Sequence, residues 1–311
     1  MSTENTENRI VVITGPTAVG KTRVSVQLAK TLGTEIISAD SMQVYRGMDI
    51  GTAKVTEEEK EGIPHHLIDI RNPEEDWDVT RFQDLSRKEA DKLQKNGKIP
   101  IVCGGTGFYI QALLYDTDFC EEGEPDGLRD ELFTYARENG NEALHEMLRE
   151  TDPVSYAKIP ANNVKRVVRA IEFQRIHGIP ISRHNEEESR KKEKSIYDAR
   201  LFVLYDERAA LFERINRRVD AMIRDGLLEE AEKIYRLGLR ENCNAMLAIG
   251  YRELWPYFQG ACSLPEAVEK IKLDSRHYAK KQLTWWKKDK NAIWINVSEG
   301  DPTDEIIRHL W

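Results

Sequence analysis

The sequence contains no apolar run of about 18 residues or more, the length that a membrane-spanning helix needs. Its first residues are polar and acidic, and they lack the basic and apolar parts of a secretory signal peptide. Cysteine is scarce, and the four thiols, at positions 103, 120, 243 and 262, show no spacing typical of a metal site. These absences favour a cytoplasmic protein with free thiols and no membrane partner.

Basic residues are fewer than acidic residues, and the net charge is -8. Taken alone, that balance argues against a nucleic-acid partner. The positive charge that is present is clustered, however. Residues 270–290 hold eight Lys or Arg against two Asp, and residues 162–184 hold five against one Glu. Such clusters predict basic surfaces on an acidic protein, although two solvated helix faces would leave the same pattern.

Short apolar runs alternate with helical patterns, which predicts an α/β fold with a mostly parallel sheet. The runs cover residues 10–14, 35–38, 99–103, 201–205 and 292–297. A helix over residues 21–30, capped by Gly33, separates the first two runs and makes a βαβ unit with them. Residues 116–199 contain helical patterns and no good strand. We therefore expect an α-helical insertion domain at 116–199 and a core made of 1–115 and 200–311.

A glycine-rich turn follows the first strand and matches the pattern G-x-x-x-x-G-K-[ST] of a phosphate loop. The glycines let backbone N–H groups converge on phosphate oxygens, the lysine adds positive charge, and the last hydroxyl suits Mg²⁺. The helix that begins at the loop adds the positive end of its dipole. The residues predicted to bind a diphosphate or nucleotide are Gly15, Pro16, Thr17, Ala18, Val19, Gly20, Lys21 and Thr22.

Such a loop usually indicates ATP or GTP, but the carboxylate that nucleotide hydrolases use to hold Mg²⁺ is not evident. The run at 99–103 ends in Gly-Gly-Thr-Gly, and Asp69 and Asp206 are weaker candidates. The loop therefore also fits a diphosphate that is not part of a nucleotide. A small-molecule or nucleotide kinase and an RNA-binding ATPase stay open as alternatives, and a kinase leaves the basic segments unexplained.

Asp40 follows the second strand, and we expect it to lie near the phosphate loop. The carboxyl ends of neighbouring parallel strands face one crevice, which is where ligands bind in such sheets. The carboxylate could serve there as a general base. On spacing alone, a turn or helix-capping role explains this residue slightly better.

Five motifs occur in order and together resemble the tRNA dimethylallyltransferase family over nearly the full chain. They are GPTAVGKT at 15–22, DSMQVY at 40–45, GGTGFY at 104–109, AIGYRE at 248–253 and KKQLTW at 280–285. The first is generic, and the later four together are highly specific. Lys281 departs from the Arg often found there and loses its planar fork. The C-terminal zinc finger of eukaryotic forms is absent, which indicates the bacterial type.

The resemblance implies a P-loop kinase-like core, Mg²⁺, dimethylallyl diphosphate as donor and the tRNA anticodon stem-loop as partner. The reaction would place a dimethylallyl group on N6 of adenine 37 in tRNAs that read codons beginning with U. The product would be N6-dimethylallyladenosine. We expect the enzyme to be a monomer.

The resemblance also implies residue roles. Asp40 would be the general base, and Thr106 would contact the target nucleotide. Arg218 would help to stabilise the leaving diphosphate, with Arg214 and Arg217 as alternatives on the same helix. The expected tRNA contacts are Asp40, Ser41, Met42, Gln43, Thr106, Arg129, Lys165, Arg166, Arg169, Arg276, Lys280, Lys281, Gln282 and Lys287. Arg276, Lys280 and Lys287 would share one stripe of a helix.

Overall fold

The structure is a computed structural model that describes residues 8–117, 127–191, 194–239 and 243–311. The chain divides into two compact units. The first consists of Met1–Leu114 and Ile196–Trp311, and the second is Tyr115–Ser195. The sequence placed these boundaries after residues 115 and 199.

The first unit is built on one sheet of six strands, all of them parallel. The strands are β1 (Arg9–Thr14), β2 (Ile36–Ser38), β3 (His65–His66), β4 (Ile101–Gly104), β5 (Asp198–Tyr205) and β6 (Ile293–Asn296). Their order across the sheet is β3-β2-β4-β1-β5-β6. Strand β1 lies between β4 and β5, and its residues 10–13 are fully buried. Such β-branched runs are typical of a central parallel strand, so the predicted α/β core is confirmed.

A helix follows each of the first four strands along the chain. These helices are α1 (Lys21–Leu32), α2 (Glu57–Lys60), α3 (Val79–Lys95) and α4 (Gly107–Leu114). Helix α1 ends at Gly33, whose φ of +63° is the left-handed conformation expected of a C-terminal cap. Val24, Val26 and Leu28 of α1 are buried in the same cluster as β1.

The second unit is helical. Its helices are α5 (Leu128–Asn139), α6 (Asn141–Glu146), α7 (Leu148–Thr151), α8 (Pro153–Lys158), α9 (Val164–His177) and α10 (Ile181–Lys191). Leu144, Leu148 and Val167 are fully buried in a hydrophobic cluster of this unit. The fully buried Asp152 accepts hydrogen bonds from the N–H groups of Ser155 and Ser182, each at 3.0 Å, which ties α8 to α10.

The chain leaves and re-enters the first unit at one point. The N–H of Ile196 donates to the carbonyl oxygen of Leu114 at 2.8 Å. Tyr115 and Ser195, the first and last residues of the second unit, form an antiparallel bridge. The second unit is therefore an insertion whose two ends are paired.

The remaining helices follow β5. They are α11 (Arg208–Arg224), α12 (Leu227–Arg236), α13 (Trp255–Phe258), α14 (Leu264–Trp286) and α15 (Pro302–Arg308), with a short 3-10 helix at Asn244–Leu247. Helix α14 begins with a capping box in which Ser263 and Glu266 bond each other's backbone N–H groups. None of the helices that the structure describes is long and apolar enough to cross a membrane. Cys103, Cys243 and Cys262 are free thiols, as predicted, and Cys120 lies outside the described residues.

Candidate active site

The phosphate loop joins β1 to α1, and glycine is required where it turns. Gly15 has a φ of +144°, and a Cβ there would lie 2.4 Å from the carbonyl oxygen of Leu204 on β5. Gly20 has a φ of +96° at the start of α1, and Ala18 also has a positive φ. These angles curl the backbone into the loop that the motif predicts.

Lys21 folds back over this loop. Its Nζ donates to the carbonyl oxygens of Gly15 at 3.0 Å and Pro16 at 2.8 Å. Burial lowers the pKa of Lys21 to about 8, with a further decrease from the charge of Arg218 and opposing contributions from Cys103 and Asp40. Desolvation disfavours the charged form of an amine, so this lysine sits where an anion would stabilise its charge.

The structure separates the three arginines of α11 that the sequence could not distinguish. Nη1 of Arg218 lies 3.5 Å from the hydroxyl of Thr17 in the loop. Arg214 donates to the carbonyl oxygen of Ala18 at 3.2 Å, and its charge is already paired with Asp206. Arg217 is exposed and pairs with a glutamate one turn away on α11. Arg218 is therefore the arginine best placed for a bound diphosphate.

Asp40 follows β2 and shapes the turn there. Its Oδ1 accepts hydrogen bonds from the N–H groups of Met42 at 2.9 Å and Gln43 at 3.3 Å. The charge of Asp40 raises the pKa of Lys21 against the larger effect of burial, so the two side chains share one crevice. No hydrogen bond of its Oδ2 is found within the described ranges, so the turn is held by one carboxylate oxygen of Asp40.

Thr106 follows β4, the neighbour of β2, and lies against the Asp40 turn. Its N–H donates to the carbonyl oxygen of Ala39 at 3.2 Å, and its hydroxyl accepts from the N–H of Ser41 at 3.3 Å. A Cβ on Gly104 would lie 2.2 Å from the oxygen of Ala39, so the close approach of the two loops depends on that glycine. Strand order thus brings Asp40 and Thr106 together.

Tyr278 belongs to the same crevice, and sequence reasoning missed it. Burial raises the pKa of its hydroxyl to about 12, the charge of Asp40 raises it further, and a side-chain hydrogen bond with Thr106 lowers it. Tyr278 lies four positions before Gln282 on α14, so it falls on the same helix face as a residue of the KKQLTW motif. This four-residue spacing from the motif is the sequence feature that could have identified Tyr278 as a site residue.

Gln282 was predicted to contact tRNA, and in the structure its side chain bonds two loops of the protein. Its side chain is only 7% exposed. Its Oε1 accepts from the N–H of Thr17 at 2.9 Å, and its Nε2 donates to the carbonyl oxygen of Gly105 at 3.0 Å. The amide thus connects the phosphate loop to the turn that follows β4.

The other predicted tRNA contacts on α14 are cationic. Lys280, Lys281 and Lys287 are exposed. Nζ of Lys280 lies 5.6 Å from the ring centroid of Phe212 on α11. Arg276 donates to Oδ1 of Asn216 at 2.5 Å, again on α11. Arg276 and Lys280 thus lie beside α11, and Lys287 follows the last residue of α14.

In the second unit, the predicted contacts lie mostly on α9. Lys165, Arg166 and Arg169 are exposed, while Val167 and Val168 of the same helix are buried. The guanidinium of Arg129 on α5 makes a two-point ion pair with Glu172 of α9, with N–O distances of 2.6 and 2.9 Å. Arg129 is thus bonded within the second unit, and its contact with tRNA stays a prediction.

The two aspartates considered as Mg²⁺ ligands of a nucleotide hydrolase are engaged elsewhere. Asp69 pairs with the buried Lys54 at 2.5 Å. The Asp206 side chain is fully buried, accepts from the hydroxyl of Ser298 at 2.8 Å and pairs with Arg214. Among the described residues there is no cluster of three or more His, Cys, Asp or Glu able to hold a metal. Both candidate carboxylates are thus already paired with a cation of the protein.

A parallel sheet with this loop at its centre defines a protein with the P-loop kinase-like fold. Comparison with known proteins identifies the family within this class of fold. The family model described as IPP transferase matches residues 43–289, so the chain belongs to that family. The chain is 47% identical over 307 residues to a tRNA dimethylallyltransferase of Bacillus cytotoxicus, which covers 99% of this chain and 96% of the relative. A tRNA dimethylallyltransferase of Bacillus anthracis is 47% identical over 97% of this chain and 95% of its own.

Solved structures of similar proteins support the same family assignment. The full-length tRNA isopentenylpyrophosphate transferase of Bacillus halodurans has 42% identity and a TM-score of 0.71, covering 97% of this chain and 94% of its own. A eukaryotic dimethylallyltransferase acting on tRNA has 29% identity and a TM-score of 0.82, covering 97% and 78%. The family resemblance and the fold class inferred from the motifs are confirmed.

Proposed function

We propose that this chain transfers a dimethylallyl group from dimethylallyl diphosphate to N6 of adenine 37 of tRNA. The substrates would be tRNAs that read codons beginning with U, and the product would be N6-dimethylallyladenosine. One observation carries the proposal: the carboxylate of Asp40 and the hydroxyl of Thr106 lie at the same end of the sheet as the phosphate loop. A proton acceptor and a diphosphate holder thus share one crevice.

The diphosphate of the donor would lie in the loop of residues 15–22, where backbone N–H groups and the dipole of α1 favour negative charge. Lys21 and Arg218 would add positive charge next to it. That charge matters most as the C1–O bond breaks, because the leaving diphosphate then gains a negative charge. Electrostatic stabilisation of a leaving group raises the rate of transfer as well as the affinity for the donor.

The loop also fits Mg²⁺. This ion usually takes one or two protein ligands and completes its shell with phosphate oxygens and water. The partly exposed hydroxyl of Thr22, at the start of α1, is a suitable protein ligand. Bound there, Mg²⁺ would neutralise charge on the diphosphate.

The acceptor nitrogen is a weak nucleophile, since its lone pair is delocalised into the adenine ring. Asp40 would accept the N6 proton while N6 bonds to C1 of the dimethylallyl group and the C1–O bond breaks. The products are the modified adenine, free diphosphate and a protonated Asp40, which returns its proton to solvent. Thr106 would hold the adenine by a hydrogen bond, after the base has left its stack.

The anticodon stem-loop would be held by basic side chains on two helices. The charge would come from Arg276, Lys280 and Lys281 on α14, from Lys287 directly after it, and from Lys165, Arg166 and Arg169 on α9. Ser41, Met42, Gln43 and Arg129 would add polar contacts. We propose that the enzyme acts as a monomer in the cytoplasm.

The proposal is tested by incubating the protein with labelled dimethylallyl diphosphate and unmodified tRNA, and with labelled ATP in parallel. We expect label on tRNA only from the dimethylallyl donor, and none when adenine 37 is replaced by guanine. Removal of Mg²⁺ should slow the transfer. ATP turnover together with an unlabelled tRNA would support the kinase alternative and refute the proposal.

A further inference from the structure

Gln282 lies between two loops of the candidate site and bonds both. The N–H of Thr17, in the phosphate loop, donates to its Oε1, and its Nε2 donates to the carbonyl oxygen of Gly105. A Cβ on Gly105 would lie 2.2 Å from this Nε2. The turn after β4 therefore admits the amide only because residue 105 is glycine.

A carboxamide satisfies this position without depending on pH. One loop presents a donor and the other an acceptor, so the side chain between them must accept on one side and donate on the other. An ionised carboxylate would place lone pairs against the oxygen of Gly105, and an apolar side chain would leave both groups buried without partners. The geometry selects glutamine by its hydrogen-bonding polarity as well as by its length.

In the proposed reaction, one of the two loops would hold the donor, and the other would lie beside the acceptor adenine. Thr17 belongs to the loop that would hold the diphosphate, and it also contacts Arg218. Gly105 adjoins Thr106, whose hydroxyl is bonded to the Asp40 turn. A shift of one loop against the other would change the distance between the allylic carbon and the attacking nitrogen.

We propose that Gln282 is a positioning residue that holds the phosphate loop and the Thr106 turn in register for transfer, rather than a tRNA contact. The inference rests on the proposed function. Rates of group transfer depend steeply on alignment, and a displacement of about 1 Å can cost about 10²-fold. Loss of the amide should therefore act on kcat. The groups expected to bind each substrate, Lys21 for the donor and Lys280 and Lys287 for tRNA, stay in place.

The test uses Gln282→Glu in the full-length protein. We expect kcat at pH 8 to fall at least about tenfold, with both KM values within about threefold of wild type. A protonated carboxyl donates and accepts as the amide does, and burial beside a carbonyl favours that form. The ratio of variant to wild-type kcat should therefore rise as the pH is lowered from 8 to 6.

Gln83→Glu is the matched control. Gln83 is 8% exposed, and its amide donates to the carbonyl oxygen of Ala112 at 2.8 Å, away from the phosphate loop. The same substitution there should leave the ratio of kcat values independent of pH. A second variant, Gly105→Ala, displaces the Gln282 amide from the other side while the sequence of α14 stays unchanged, and it should reproduce the kcat defect.

Two outcomes would overturn the inference while wild type still transfers the dimethylallyl group. A rise in the KM for tRNA with unchanged kcat would make Gln282 a tRNA contact. A lower melting temperature with normal kcat per folded molecule would make it only a stabilising residue. Failure of wild type to modify tRNA would instead refute the proposed function, so the two failures are distinguishable.

Discussion

Asp40 uses its two carboxylate oxygens differently. Oδ1 accepts from the N–H groups of Met42 and Gln43, which fixes the turn, and in the proposed reaction Oδ2 would take the proton. Asp40→Asn keeps an acceptor for those N–H groups and removes the base. We expect transfer to fall by about 10²-fold or more in single-turnover assays, the usual scale for loss of a general base.

Donor binding should be unchanged in that variant, and equilibrium titration with dimethylallyl diphosphate provides the control. Asp40→Ala loses the turn contacts as well, so it should also be less stable. Near-normal single-turnover rates for Asp40→Asn would remove this carboxylate from the mechanism.

The low pKa of Lys21 predicts a pH dependence of donor affinity. With a pKa of about 8 in the free protein, Lys21 loses its charge as the pH rises through that value. A bound diphosphate favours the charged lysine, so binding takes up a proton above pH 8. Affinity should then fall by up to about tenfold for each further pH unit.

Fluorescence or calorimetric titration with dimethylallyl diphosphate between pH 7 and pH 9.5 would measure this effect. Lys21→Arg serves as the comparison because its guanidinium stays charged over the whole interval. Affinity that is flat across the interval for wild type would show that the lysine does not contribute its charge to donor binding.

Helix α14 has two chemically distinct faces. Ala279, Gln282 and Trp286 are buried, whereas Lys280 and Lys287 are exposed. If the exposed cations contact phosphates, tRNA affinity should fall steeply with salt. The double variant Lys280→Ala, Lys287→Ala should bind tRNA more weakly and lose about two units of the slope of log affinity against log salt.

The matched control is the double variant Lys88→Ala, Lys95→Ala on α3. Both lysines are exposed and have the same spacing as the pair on α14. We expect its salt series to match that of wild type. Superimposable curves for the α14 variant and wild type would refute the assignment of this helix to tRNA binding.

The elements with local signals could be predicted from the sequence. The β1 run, the glycines of the loop and the Gly33 cap carry their conformations in a few adjacent residues, and all were found. Strand β3 was missed, because two histidines make no periodic pattern. Its existence depends on pairing with β2 across the sheet.

The parts of the site that depend on distant contacts could not be predicted. Gln282 stands in a run of polar and basic residues that favours exposure, yet its amide partner Thr17 lies 265 positions away in the sequence. The choice of Arg218 over its neighbours on α11 likewise depends on which side chain reaches the loop. Hydrogen-bond partners of this kind are set by tertiary packing rather than by local pattern.

At the scale of the whole molecule, the two units have separate hydrophobic clusters. We therefore expect the first unit to fold without residues 115–195 when Leu114 is joined to Ile196 by a short glycine-containing turn. The circular dichroism of this shortened protein should show cooperative thermal unfolding. Donor binding should persist because the phosphate loop is intact, and transfer to tRNA should be lost with the cations of α9.

An equal deletion that cuts inside α3 provides the comparison, since it removes buried core residues and should abolish cooperative unfolding. Loss of cooperative unfolding in the shortened protein itself would show that the sheet depends on the insertion.

The paired ends of the insertion have a consequence for how such a protein can change over generations. Because Leu114 and Ile196 are already bonded to each other, whatever lies between them can lengthen, shorten or be exchanged for a homologous segment without altering the strand register. Recombination at this one junction would exchange a whole module while leaving the chemistry of the sheet in place. Chimaeras that combine the helices of one relative with the catalytic sheet of another can therefore be joined at these two residues.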